Sequence, residues 1–187
     1  SELIVNTQKR ILEISLSNGK ETEAIKMGEN TLDRLRLRAL NPNSVFGYSI
    51  GWKNFDRITQ GFCANDLSIV CAPSKTGKSA LLTNFAKILS VDTNLPGLYL
   101  DTEMSTEEQE DRMLAIMSGV PFTEIRNGLF AIDSEYGIGI EKQARLEKAV
   151  EILKERNLIH IYVPNFNVEN VTGLIRKYKI QENIGYA

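Results

Sequence analysis

An α/β domain, with a parallel sheet covered by helices on both faces and left incomplete in this chain, is what the sequence predicts. Three observations carry that expectation. From Phe46 onward, short apolar runs alternate with helical patterns: LSIVCA at 67–72, GLYLDT at 97–102 and LIHIYV at 158–163. The runs are apolar with little alternation, as in strands buried on both sides, and the helices between them suit parallel crossovers. Finally, the chain stops at NIGYA, residues 183–187, whose IGYA has the composition of a strand just beginning. A domain does not normally end as it enters its own sheet, so the parent protein is expected to continue.

Taken in order, residues 3–16 (LIVNTQKRILEISL) place Leu3, Thr7, Ile11 and Ile14 at helical spacing, with NGK at 18–20 as the stop. SNGKETE follows as a flexible polar linker. A second helix is expected from Glu23 to Leu40 with Ile25, Leu32, Leu35 and Ala39 inward, closed by NPNS at 41–44. The first helix has nothing local to pack on, and so short a helix is marginal alone in water, so it is expected to dock on this domain or on another copy. The chain thus divides into a docking helix at 1–17, a linker and helix at 18–45, and the α/β part at 46–187.

Within that part the run 67–72 leads to a helix over 78–90, and GLYLDT to a helix opened by Ser105-Thr-Glu-Glu108, a capping-box pattern, with Met113, Ile116 and Met117 inward. PFTEIRNGL reads as a single helical turn stopped by Gly128. A long helix near 141–156 carries Leu146, Ala149, Val150 and Leu153 on one face. LIHIYV is then a strand, and NVENVTGLIRKYK a helix capped at Asn167 with Val171, Leu174, Ile175 and Tyr178 inward. Repeats and low-complexity tracts are absent.

The 187 residues, 42% apolar and 25% charged, suit one folded domain with an appendage. A formal charge of −2 gives no global pull toward nucleic acid, although Arg34, Arg36 and Arg38 form a local basic run. Cys63 and Cys71 lack metal-like spacing and read as buried thiols in a reducing compartment. His160, the single histidine, sits in a strand-like run and reads as structural. No apolar run reaches the roughly 18 residues of a membrane span, and no leader pattern opens the chain. The expected location is the cytoplasm.

The chemistry is concentrated in CAPSKTGKSALL, residues 71–82, close to the phosphate-loop pattern G-x-x-x-x-G-K-[ST] but with Ala72 in place of the first glycine. Such a loop needs a strand that ends abruptly, a turn whose N–H groups face inward, a lysine, and a hydroxyl at a helix start. Ala72 ends the strand as the first position of the nucleotide-binding loop, Pro73, Ser74, Lys75, Thr76 and Gly77 form the turn, Lys78 can reach the β- and γ-phosphates of ATP, and Ser79 can hold Mg²⁺, with Ala80 in the first helical turn. Gly77 lies where backbone and phosphate come closest, so a Cβ is better tolerated at Ala72. Hydrolysis also needs a carboxylate to activate water. Glu103, at the carboxyl end of GLYLDT, is the candidate, since ligands of open parallel sheets bind beyond those ends. Asp101, two residues earlier, competes for the role, and the acidic run at 107–111 reads as favourable charge in a first helical turn.

Over nearly its whole length the chain resembles the DnaB-type replicative helicases of bacteria and their phages, whose motor is a RecA-like ATPase domain. The resemblance is carried by GWKNFDRITQGF at 51–62, the Asp66-Leu67 strand start, the A-x-x-x-x-G-K-[ST] loop, DTEM at 101–104, similar to the family's S-L-E-M, and IRNG at 125–128. TQKRILEIS resembles the linker helix that packs against a neighbouring subunit of the ring. Gln60-Gly61, Asn65-Asp66 and DTEM depart from the family's pattern and suggest a divergent, phage-like member.

The resemblance implies a fragment of an ATP-dependent helicase that assembles as a hexamer through its N-terminal helix and moves on single-stranded DNA, with primase and a helicase loader as partners. It implies that Lys78 and Ser79 carry phosphate and Mg²⁺ and that Glu103 activates water. Arg112 matches an arginine lying near the nucleotide, against the plainer reading of a surface arginine paired with Glu108. The family's second metal-shell aspartate, arginine finger and DNA loops would fall beyond residue 187. Arg176, Lys177 and Lys179 read as DNA-phosphate partners or, more simply, as a solvated helix face. Other readings are a RecA-like ATPase without unwinding (recombinase, mediator or clock-type), a nucleotide-binding interaction module, and a small-molecule kinase, against which the missing arginine-rich lid argues.

Overall fold

Two parallel strands, β1 (Gly97–Asp101) and β2 (Leu158–Tyr162), form the sheet in the computed structural model, with Gly97 opposite Leu158 and Asp101 opposite Tyr162. The structure describes residues 27–40, 42, 46–132 and 138–187. The chain divides into two units between Ser44 and Val45. In the first lies α1 (Thr31–Leu40). The second holds α2 (Lys53–Thr59), α3 (Lys78–Ala86) continued as a π-helical turn over Lys87–Asp92, β1, α4 (Thr106–Ser118), α5 (Phe122–Arg126), a 3₁₀ turn at Leu129–Ala131, α6 (Ile138–Lys154), β2 and α7 (Val168–Gln181).

Local chemistry explains most of these boundaries. Ser105 caps α4 by accepting the Glu108 N–H at 3.2 Å, and Asn167 caps α7 by accepting the Asn170 N–H at 2.7 Å. Gly119, with φ +69°, closes α4 in the left-handed conformation that glycine adopts without strain. The core gathers Leu98, Met113, Val120, Leu146, Ala149 and Ile184, all at least nine-tenths buried. Against α3 a second cluster stacks Trp52, Phe55 and Phe62 on Phe85, with ring centroids 5.1 to 6.2 Å from the Phe85 ring.

Four expectations are corrected. Residues 67–72 form no strand: Leu67 is 87% exposed and Ile69 75%. A parallel strand draws its backbone partners only from a neighbour, and none of the described residues pairs with this run. The edge of β1 away from β2 is met instead by Tyr186, through one parallel bridge to Gly97 and a 3.1 Å bond from the Leu98 N–H to the Tyr186 carbonyl. Cys71, in this run, is therefore exposed rather than buried; Cys63, outside it, is half-buried.

The expected helix from Glu23 to Leu40 is helical only over Thr31–Leu40 among the described residues, because Gly28 (φ +98°) and Asn30 (φ +59°) break the helical backbone before it; residues 23–26 lie outside the described residues. Its expected inward residues Leu32 and Leu35 are exposed. Finally, β2 is half-buried rather than buried, since it lies at the sheet's edge. The helix expected at 3–16 lies outside the described residues.

α2 was not foreseen. Its support is tertiary: buried Asp56 accepts the Ser49 hydroxyl at 2.7 Å and the Ile50 N–H at 3.1 Å, which folds the preceding segment back over the helix. Gln60, at φ +62°, ends the helix, and the Tyr48–Phe62 antiparallel bridge then delivers Phe62 to the aromatic cluster.

Candidate phosphate loop and its carboxylate

The turn at 72–77 runs exposed into α3, and Gly77 is the residue before its first helical position. At φ +98° Gly77 has a backbone that an L side chain rarely adopts, while a Cβ there would meet nothing within 4 Å. The need for glycine is thus conformational in this structure. Lys75 also has positive φ, +61°. Left-handed residues alternating with right-handed ones turn successive N–H groups to one side, and the first N–H groups of α3 have no intrahelical acceptor.

Lys78 folds back across this turn, its ammonium donating to the carbonyls of Ala72 at 2.8 Å and Pro73 at 3.1 Å. The Pro73 carbonyl also accepts the Thr76 hydroxyl at 2.7 Å. The lysine charge is therefore held over the loop by neutral carbonyls, partners that a phosphate would outcompete. Ser79 is half-buried in the first turn of α3, while Ser74 and Ala80 are exposed. Loop amides, a tethered lysine and a first-turn hydroxyl form a donor set that fits a nucleoside triphosphate with its magnesium ion.

Glu103 is exposed on the turn between β1 and α4. Asp101 builds that turn: its Oδ1 accepts the N–H groups of Glu103 at 2.8 Å and Met104 at 3.0 Å. Asp101 is 7% exposed and engaged by the backbone, and it holds the turn that carries the exposed Glu103. Its Oδ2 lies 3.9 Å from His160 Nε2 on β2, and His160 Nδ1 shares a 3.0 Å hydrogen bond with the Thr106 hydroxyl at the start of α4. Burial pushes the His160 pKa down, against the opposing pull of the Asp101 and Glu110 charges.

Residues 67–72 and β1 are not paired, so the loop and Glu103 are connected through their helices. Gln109 Nε2 on α4 donates to Thr83 Oγ1 at 3.0 Å, and Thr83 donates to the Ser79 carbonyl at 2.9 Å. Neither residue was singled out from sequence. The available signal was a polar residue on an apolar stripe, because Gln109 lies one turn before Met113.

Arg112 pairs with Glu108 at 3.3 Å and lies 5.4 Å from the Phe122 ring centroid, which is the plainer of its two readings. Its buried Nε has no hydrogen-bond partner among the described residues. On α7, Lys179 donates to the Ile184 carbonyl at 2.7 Å and Lys177 lies over the Tyr178 ring, so both have intramolecular roles. Arg36 pairs with Asp33 on α1 in a fully solvated setting.

Among the described residues no helix is long and apolar enough to cross a membrane. The chain is 25% identical over 186 residues to the replicative DNA helicase DnaB of Treponema pallidum, covering 97% of this chain and 40% of that protein. Against the replicative DNA helicase DnaB of Geobacillus stearothermophilus it is 24% identical over 187 residues, covering 98% and 39%. It therefore spans about two fifths of the length of these curated relatives.

Among solved structures, one described as an ATPase domain superposes with a TM-score of 0.72 at 17% identity, covering 85% of this chain and 54% of that one. A DnaB-like replicative helicase, described with its interactions with primase, gives 0.68 at 17% identity, covering 95% and 41%. These neighbours share the RecA-like α/β fold, of which this chain holds an incomplete sheet. With residues 47–187 matching it throughout, the chain belongs to the family of the DnaB-like helicase C terminal domain.

Proposed function

We propose that this chain is the linker and front part of the motor of a replicative DNA helicase, a cytoplasmic ring that couples ATP hydrolysis to movement along single-stranded DNA. The observation that carries the reading is the phosphate loop closing onto α3, with Glu103 presented by a buried aspartate at the end of β1, within a family match over residues 47–187. In this reading the amides of Ser74 to Ala80 and the Lys78 ammonium bind the phosphates, and the Ser79 hydroxyl holds Mg²⁺. Bound magnesium supplies charge neutralisation at the phosphates. Glu103 orients and deprotonates the attacking water, and Arg112 contributes positive charge near the nucleotide once Glu108 releases it.

The proposed partners are other copies of the chain, forming a hexamer through the N-terminal helix, together with single-stranded DNA, primase and a helicase loader. Primase is supported by the description of one structural neighbour. The decisive experiment measures nucleotide binding and turnover in the intact protein. Glu103→Gln is expected to retain ATP binding and to lose turnover by about 10²–10⁴-fold, while Lys78→Ala loses binding. Turnover that survives Glu103→Gln overturns the reading.

A further inference from the structure

Thr83 and Gln109 are buried polar residues in the core between the phosphate-loop helix and the helix that follows Glu103, 0% and 5% exposed. Gln109 Nε2 donates to Thr83 Oγ1, and Thr83 passes the contact to the carbonyl of Ser79. On its other side Gln109 is rigidly connected to the carboxylate turn: its backbone N–H bonds the Ser105 carbonyl at 3.0 Å, and Ser105 caps α4 directly after the Asp101-built turn. Two consecutive hydrogen bonds therefore link the Ser79 carbonyl to Gln109, with Thr83 and Gln109 26 residues apart in sequence, and the bond from the Gln109 N–H to the Ser105 carbonyl carries the connection on to the start of α4.

Stability alone does not account for this pair. Gln109 Oε1 is buried with no hydrogen-bond partner among the described residues. An unpartnered buried acceptor is a net cost to folding, whereas apolar residues of similar shape at both positions would be nearly neutral or stabilising. Tyr99, on the strand that ends at Asp101, abuts the same cluster. Burial raises its pKa, with hydrogen bonding to the Thr83 side chain the first opposing influence.

Resting on the proposed ATPase reading, we infer that Gln109 and Thr83 are positioning residues that set the register of the Glu103 turn against the phosphate loop. Neither touches the reacting atoms. They act through Ser79 on one side and the start of α4 on the other, where a displacement of about 1 Å can cost on the order of 10²-fold in rate.

The test compares Gln109→Leu, Thr83→Val and the double variant with the wild type in the intact protein. It reads kcat and KM for ATP, Tm, and the affinity for ADP with aluminium fluoride, a transition-state mimic, relative to ADP alone. Each variant is expected to lower kcat about tenfold or more with KM within about threefold, and to lose the preference for the mimic by a similar factor. The double variant is expected to regain thermal stability and not kcat, while Thr83→Ser, which keeps the hydroxyl, restores kcat. A double variant that recovers kcat along with Tm, or single variants that fold and turn over at the wild-type rate, overturns the inference. Turnover surviving in Glu103→Gln instead overturns the proposed function, and this inference with it.

Discussion

Asp101 and His160 show how much of the geometry of the Glu103 turn rests on buried groups. The aspartate accepts two backbone N–H groups and lies across from the imidazole, which is also tied to Thr106 at the start of α4. Burial keeps His160 neutral by lowering its pKa, and the nearby Asp101 and Glu110 charges offset this only in part. The unfolded chain takes up this proton near pH ~6.5, where a histidine ordinarily titrates, and the folded chain does so only at lower pH. Between those values the unfolded state binds more protons, so stability is fully present above about pH 6.5 and falls as the pH drops through the folded value. Thermal melts between pH ~7.5 and ~5 should show this as a Tm decrease of roughly 2–4 °C per kcal/mol of linkage. His160→Gln, which keeps a polar partner for Thr106, should flatten the profile in that window, and an unaltered slope would rule the histidine out as its source.

At the level of elements, α4 carries the most consequence, because its capped N-terminus fixes where Glu103 leaves β1. Replacing Ser105 by alanine removes the acceptor for the Glu108 N–H and should cost about 1 kcal/mol of stability. Because the cap also anchors the Glu103 turn, ATP turnover should fall with the midpoint of denaturation, while ATP affinity stays near wild type. Chemical denaturation alongside steady-state ATPase assays checks both, and a loss of nucleotide affinity without a stability change would contradict the assignment. α4 was legible in sequence because Ser105, Glu108 and Met113 signal within a single helix. The cap of α7 and the turn at Gly128 were legible for the same reason. α2 was not, since its seven residues offer no periodic stripe and its support comes from Ser49, Ile50 and distant Phe85. The run at 67–72 failed in the opposite sense: its composition is that of a strand, but a strand exists only with a partner. In the candidate site, Lys78 and Ser79 were singled out by motif spacing and Glu103 by its place at the carboxyl end of a strand, whereas Thr83 and Gln109 meet only after folding.

For the molecule as a whole, the open energetic question is what covers α1. Leu32, Leu35, Leu37 and Leu40 are 49% to 74% exposed on a helix of ten residues, none of them buried. Covering one leucine side chain is worth about 1.5–3 kcal/mol, and a helix this short is marginal in water without tertiary packing. The proposed hexamer supplies a cover, since a segment leading from a docking helix to the motor would run beside the neighbouring subunit. The docking helix expected at residues 3–16 would then be the element that holds the ring, with α1 gaining its packing only once the ring closes. Deleting residues 1–17 from the intact protein should therefore convert the ring to slower-sedimenting species and raise the susceptibility of the segment around α1 to proteolysis. Glu103→Gln, which leaves that surface untouched, should keep the wild-type sedimentation profile. If the deletion variant still sediments as the wild type does, the N-terminal helix is not what joins the subunits, and the exposed leucines of α1 must be covered by some other surface.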